Sequence, residues 1–154
     1  GTALPDGAAR RRMRLGDDAP LMHLDTLHLA DEHPFAFERR WVNLRAVPGF
    51  ATADLSELSA NEWLVRTVPF SNGEVSLSAA GASERVAAVL DVEPGAALFT
   101  LDRTTWLDEA PITTMTSEFF TSLKVADTAA EPTPSSSAAT DDAWQRRVQW
   151  STLL

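Results

Sequence analysis

Glu38 and Arg103 are charged residues that can form hydrogen bonds or ion pairs with a small polar molecule. Glu38 lies in the run 35–43 and shares one face with Arg40, because residues two apart in a strand point the same way. A carboxylate there accepts hydrogen bonds from hydroxyl or imidazole N–H groups of a ligand. The alternative is a solvated glutamate at a sheet edge, which is where this residue type is commonly found.

Arg103 has the chemistry to pair with the carboxylate of a ligand. Trp106, three positions later, offers a flat ring for stacking, and Arg66 is a second candidate cation. The alternative is that Arg103 is a surface arginine that pairs with Asp102 or Glu74, an interaction that contributes little stability.

The residue types and spacings do not predict catalysis or metal binding. Cysteine and tyrosine are absent, no nucleophile stands beside a base, and there is no glycine-rich phosphate loop. The three histidines, His23, His28 and His33, are spaced by five, so they alternate between strand faces and do not suit a chelating site. We therefore predict no catalytic residue, no metal site and no cofactor.

The composition favours one domain and disfavours a nucleic-acid partner. The chain has 154 residues, 44% of them hydrophobic, which is enough for one core. Its net charge of −9 repels phosphate backbones. No apolar run approaches the roughly 20 residues of a membrane span and no signal peptide is apparent, so we expect no membrane contact and a cytoplasmic location.

A repeated module organises the candidate residues. Residues 15–43 and 92–120 align without a gap, so that Leu98, for example, stands 77 positions after its counterpart Leu21. Each copy has an Asp-Glu-X-Pro turn between two runs of period two, which predicts a β-hairpin. Two copies are too few for a solenoid, so the repeat favours one domain with an approximate two-fold axis and a cleft between its halves.

The predicted elements together give an α+β fold. Five strands are predicted, at 21–29, 35–43, 74–80, 98–107 and 112–120. The alternating pattern of the third predicts that it is half-buried. Ser59 and Ser83 are good N-cap residues for helices at 59–66 and 83–90. We expect an antiparallel sheet of about five to six strands with flanking helices.

Both ends of the chain are predicted to lie outside this domain. Residues 1–11 are interpreted as a loop with a frayed start, and the arginines from Arg10 to Arg14 as a solvated face, although 8–15 could be the end of a helix. The domain is assigned to residues 12–125. Residues 126–154 are small, polar and proline-dotted, so we predict that they are disordered.

Several segments resemble the UTRA domain, the effector-sensing half of GntR-type transcription regulators of the HutC subfamily, and within it the histidine-utilisation group. They are PFAFERRWVNLRAVPGF, NEWLVRTVPFSNGEVSLSAA and ALFTLDRTTWLDEAPIT. The combination of E-R-R-W-V-N, N-E-W-L-V and R-T-T-W carries the resemblance, which covers about residues 12–123. It implies a chorismate-lyase-like fold, a homodimer, and DNA binding only through a winged helix-turn-helix that we expect to be absent from this chain.

The resemblance also implies roles for individual residues. In UTRA domains the acid four positions after the first hairpin proline faces the effector, and that acid is Glu38 here. Relatives that sense sugar phosphates carry two arginines at the positions of Thr26 and His28, so the resemblance disfavours a phosphosugar effector. The helix-start positions of the site fall on Ser59 and Asn61, which are small polar residues able to orient a ligand.

The resemblance therefore predicts an effector-binding and dimerisation domain of a repressor, with urocanate or a similar histidine-pathway acid as effector. Binding would release DNA in the intact protein through different affinities for two states. Two alternatives stay open. The likeness of the UTRA fold to chorismate lyase admits an enzyme, and the expected loss of the first strand admits a dimerisation remnant that has lost its ligand.

Overall fold

The computed structural model describes residues 6–120, so the predicted tail at 126–154 lies outside the described residues. The helices are α1 (Asp6–Met13), α2 (Ala60–Thr67) and α3 (Glu84–Leu90), with a 3-10 helix at Pro48–Thr52. The strands are β1 (Leu21–Ala30), β2 (His33–Asn43), β3 (Asn72–Gly81), β4 (Ala97–Leu107) and β5 (Ala110–Phe119). Within this part of the chain, no helix has the length and apolar character needed to cross a membrane.

The strands form one antiparallel sheet in the order β1-β2-β5-β4-β3, which confirms the predicted α+β fold class. Two-residue turns close both predicted hairpins. At the first turn Asp31 and Glu32 have φ angles of 50° and 65°, the left-handed conformation that matches the twist of the flanking strands. Asp108 at the second turn has a φ of 52°.

The pairing register shows that the repeat is an internal two-fold. Arg39 pairs with Thr116, its own counterpart in the second copy. On either side, Glu38 pairs with Ser117 and Arg40 pairs with Met115. Met115 is the repeat counterpart of Glu38 and Ser117 is that of Arg40, so a two-fold rotation converts one pair into the other. The pseudo-two-fold axis therefore passes between β2 and β5 at the centre of the sheet.

Helices α1 and α3 are related by the same offset and cover one face of the sheet. Ala9 and Met13 of α1 are buried against Trp41, and α3 packs its apolar side against Phe37. The prediction that residues 1–11 are a loop is therefore wrong for the described residues from Asp6 onward. The few apolar residues inside this arginine-rich run form too weak a pattern to predict that one side of α1 is buried.

The interpretation of the arginine run as a solvated face is also wrong in part. Arg12 reaches across the sheet, with Nη2 2.8 Å from Asp102 Oδ1 and Nη1 donating to Thr116 Oγ1 at 2.9 Å. Arg10 pairs with Asp6 at 2.9 Å and donates to two backbone carbonyls. These contacts fasten α1 to the sheet next to the pseudo-two-fold axis.

The opposite face is partly covered by α2 and the 3-10 helix. Leu64 and Phe50 pack with Val42 in a buried cluster. The side chain of Ser59 accepts a hydrogen bond from the backbone N–H of Glu62 at 3.1 Å, which confirms the predicted N-cap. This cap places the first turn of α2 above the middle of the sheet.

Strand β3 differs from its prediction, because all ten of its residues are exposed rather than half-buried. Within residues 6–120 it is an edge strand, and its partner is β4. Helices α1 and α3 pack chiefly on the central strands β5 and β2. The period-two pattern of β3 identifies a strand correctly but does not reveal that its apolar side is left open.

Candidate functional site

The face opposite α1 and α3 carries a charged cluster at its centre. Directly paired residues of neighbouring strands point to the same face, so the register arranges this face in rows that run across the strands. One row contains Leu24, Arg40, Met115, Arg103 and Val75. The next row contains Thr26, Glu38, Ser117, Leu101 and Leu77.

Four side chains form what we call the arginine cluster: Glu38, Arg40, Asn61 and Arg103. Arg40 Nε donates to Glu38 Oε1 at 2.8 Å, and both residues are buried, with exposed fractions of 1% and 6%. The solvated edge position considered for Glu38 is therefore wrong. The structure brings Glu38, Asn61 and Arg103 together, as the sequence predicts for one site.

Asn61 joins the two arginines. Its Oδ1 accepts a hydrogen bond from Arg40 Nη2 at 3.3 Å and another from Arg103 Nη2. The strands of these arginines are separated by β5, so their backbones are about 10 Å apart while their guanidinium groups converge on one oxygen. One amide oxygen thus occupies the position where an oxygen of a ligand would meet two cations.

Glu38 is held in its ionised form. Burial alone would raise the pKa of this carboxyl, but the charge of Arg40, its hydrogen bond to the carboxyl and the nearby His28 outweigh burial and lower the pKa to about 2. His28 Nε2 lies 3.8 Å from Glu38 Oε2. At neutral pH Glu38 is therefore a paired anion that accepts hydrogen bonds and has no proton to donate.

Among its four side chains the arginine cluster has two cations and one anion. Burial and the nearby charge of Arg40 lower the pKa of Arg103 to about 10, and the charge of Glu38 opposes this only in part. Arg40 Nη1 is buried and has no hydrogen-bond partner in the part of the chain that the structure describes. An anionic group entering the cluster would give this nitrogen a partner.

The lowered pKa of Glu38 predicts a specific loss of stability in acid. A carboxyl whose folded pKa lies below its unfolded value stabilises the fold above about pH 4.5, and this contribution is lost as pH falls through about 2. The shift corresponds to about 3 kcal/mol. We expect the difference in unfolding free energy between the wild type and Glu38→Gln, measured by urea titration, to narrow by that amount between pH 5 and pH 2. A difference that stays constant would contradict this.

Other predicted site residues lie elsewhere. Ser59 is exposed and uses its hydroxyl for the N-cap. Arg66 is exposed and pairs with Glu62 one turn away at 3.2 Å. Trp106 packs beneath the guanidinium of Arg14, 5.7 Å from its ring centroid, on the face that carries α1. The structure therefore does not bring these three residues to the arginine cluster.

A cavity of about 500 Å³ lies beside Trp106, away from the arginine cluster. Its lining includes Arg14 and the carboxylates of Glu74, Asp108 and Glu109. This surplus of negative charge makes it a poor site for an acid. No group of His, Asp and Glu residues within 6–120 is arranged to hold a metal ion.

Arg40 is the site residue that sequence reasoning did not include. The signal was present, because its two-residue separation from Glu38 puts both on one face. What the pattern did not show is that α2 covers this face and buries the pair. Trp106 lies away from the cluster for a related reason: its three-residue separation from Arg103 places it on the other face of β4.

Comparison with known proteins identifies the family. The family model described as the UTRA domain matches residues 2–125. The chain belongs to the UTRA family. UTRA domains are the effector-binding parts of GntR-type transcription regulators.

Solved structures share the fold. The C-terminal domain of the histidine utilization repressor from Pseudomonas syringae pv. tomato matches with a TM-score of 0.67 and 20% identity, covering 71% of this chain and 78% of that one. The C-terminal domain of YurK from Bacillus subtilis gives 0.64 and 21%, covering 77% and 81%. A GntR-family transcriptional regulator from Enterococcus faecalis gives 0.57 and 17%, covering 78% and 83%.

These likenesses concern the fold and leave the effector open. The histidine utilization repressor and YurK are similar to this UTRA domain to nearly the same degree. A comparison with curated proteins found no match to the sequence. The fold alone therefore does not select one effector.

Proposed function

We propose that this UTRA domain is the effector-binding and dimerisation domain of a cytoplasmic GntR-type repressor and that its effector is a small carboxylic acid. DNA would be bound by a winged helix-turn-helix outside the described residues. The effector would change DNA binding by favouring one of two states of the intact regulator.

The observation that carries this proposal is the buried guanidinium nitrogen Arg40 Nη1 of the arginine cluster. Arg40 Nη1 is buried without a hydrogen-bond partner in the described residues, and Arg103 lies on the other side of Asn61. A guanidinium presents several N–H groups in a plane that match the two oxygens of a carboxylate. Thr26 and His28 in place of further arginines support a singly charged acid over a sugar phosphate.

Urocanate is the candidate that the sequence resemblance suggests. Its carboxylate suits the two arginines, and its imidazole N–H would be a donor to Glu38, which is ionised and accepts hydrogen bonds. We propose this pairing because the cluster offers a cationic part and an anionic part on the same face.

Thermal unfolding with added ligand tests the proposal. A ligand that binds only the folded state at a hundred times its Kd stabilises the fold by about 2.7 kcal/mol, so saturating urocanate should raise Tm by several degrees. Imidazole, which lacks the carboxylate, and glucosamine 6-phosphate, a phosphosugar, are the matched controls. A rise in Tm with the phosphosugar and none with urocanate would contradict the carboxylate assignment.

An enzyme of the chorismate-lyase type is the second candidate, and the state of Glu38 weighs against it. A carboxyl with a pKa of about 2 is a poor general acid at neutral pH. Incubation with chorismate is expected to release neither hydroxybenzoate nor pyruvate. Release of both would favour the enzyme.

Homodimer formation is the remaining part of the proposal. Among the described strands β3 has a neighbour on one side only, and such an edge is a template for pairing with another chain. Pairing along this edge would use backbone N–H and C=O groups and leave the side chains on the open face accessible. Sedimentation of the protein as a monomer at micromolar concentration would count against a homodimer.

A further inference from the structure

An exposed apolar stripe lies next to the arginine cluster on the same face. It consists of Val75 and Leu77 on β3 with Phe99 and Leu101 on β4. Val75 and Leu77 are 57% and 59% exposed, which is high for large apolar side chains. Contiguous exposed apolar surface of this kind marks a binding site more often than an isolated exposed leucine does.

The stripe and the cluster are continuous. Val75 is the cross-strand neighbour of Arg103. In the next row Leu77 pairs with Leu101, which pairs with Ser117, the neighbour of Glu38. Ser117 is the β5 residue of this row, so no large β5 side chain separates the cluster from the stripe.

The arginine cluster beside the stripe favours a ligand that carries an anionic group. An uncharged apolar molecule would cover the stripe but leave the buried Arg40 Nη1 without a hydrogen-bond partner. Arg40 is only 1% exposed, so a slender group reaches it more easily than the surface of another protein. The occupant that fits both parts has a carboxylate head and an apolar body.

We infer that the effector is an elongated amphiphilic carboxylic acid, whose carboxylate lies in the arginine cluster and whose apolar body lies along the stripe as far as β3. This inference rests on the proposed function and narrows its ligand class. From β2 to β3 there are three strand spacings, about 14 Å, which exceeds the length of a urocanate-sized acid. Urocanate would thus use the cluster and leave the stripe exposed.

Calorimetric titration with straight-chain acids tests the inference. Butanoate, hexanoate, octanoate and decanoate carry the same head and differ only in apolar length. Burial of each added methylene against the stripe should strengthen binding by about twofold to fourfold. We expect the Leu77→Ser variant to bind butanoate as the wild type does and to lose most of the gain between butanoate and decanoate.

Leu27→Ser is the matched control, because Leu27 is also exposed but lies on the opposite face of the sheet. It should keep the full dependence on chain length. Equal affinity for all four acids, or an undiminished gain in Leu77→Ser, would overturn the inference while leaving the proposed function intact. If none of the acids bound, urocanate included, the proposed function itself would be contradicted. If Leu77→Ser changed the sedimenting mass but not acid binding, the stripe would be a subunit contact and the inference wrong.

Discussion

Replacing Arg40 by alanine is expected to lower the unfolding free energy by about 3–5 kcal/mol, the usual cost of removing one partner of a buried ion pair. Glu38 would remain buried without the guanidinium that compensates its charge. For a domain of this size the total stability is about 5–15 kcal/mol, so the loss is a large fraction of it. Urea unfolding monitored by tryptophan fluorescence measures it.

Arg66→Ala is the matched control for this change. Arg66 is exposed, and its pairing with Glu62 is between neighbours on one helix surface, so its loss should alter stability by no more than about 0.5 kcal/mol. A second test combines the substitutions Arg40→Met and Glu38→Gln in one double variant. The double variant should be less destabilised than the sum of the two single changes, because the buried carboxylate that Arg40 neutralises is then absent. Strict additivity would show that the two residues do not act as a pair.

Replacing Arg103 by alanine is expected to weaken carboxylate binding by about 2–5 kcal/mol, the cost of truncating one partner of a desolvated charge pair. This corresponds to a rise in Kd of about thirtyfold or more. Arg11, which is exposed on α1, provides the matched control, and Arg11→Ala should bind urocanate with the wild-type Kd. Calorimetry on both variants compares them directly.

The effect of Arg103→Ala on ligand affinity should be distinguishable from its effect on the stability of the fold. Burial and Arg40 lower the pKa of Arg103 to about 10, which means that its charged form is less favourable in the folded state than in water. Arg103→Ala should therefore destabilise the fold less than Arg40→Ala does. Equal Kd values for Arg103→Ala and Arg11→Ala would mean that the acid binds elsewhere or not at all.

The hairpins and their register could be predicted because local patterns determine them. Period-two runs on both sides of an Asp-Glu turn are sufficient for a hairpin, and the duplication supplied the two-fold. The packing of helices on each strand could not be predicted in the same way. Strand β3 has the same alternation as a half-buried strand, yet its place at the edge leaves Val75 and Leu77 exposed.

The site could be predicted only in part, because alternation along a strand shows which residues share a face but not which of them are buried. Alternation along a strand places Glu38 and Arg40 on one face, but their burial depends on α2 lying over β2, a contact between segments about twenty residues apart. Asn61 was named from the resemblance alone, and its bridging of two arginines required the strand order. Arg12 shows the reverse case: a run of arginines looks solvated in sequence, and only the packing of α1 reveals its partner Asp102.

A crystal structure of the protein grown with a saturating carboxylic acid tests the arginine cluster most directly. We expect the carboxylate within hydrogen-bond distance of Arg40 Nη1 and of the Arg103 guanidinium, with its oxygens beside or in place of Asn61 Oδ1. With octanoate, the chain should extend over Leu101 toward Leu77. Acid density only in the cavity beside Trp106, or no acid on the open face at all, would contradict the assignment of this face as the effector site.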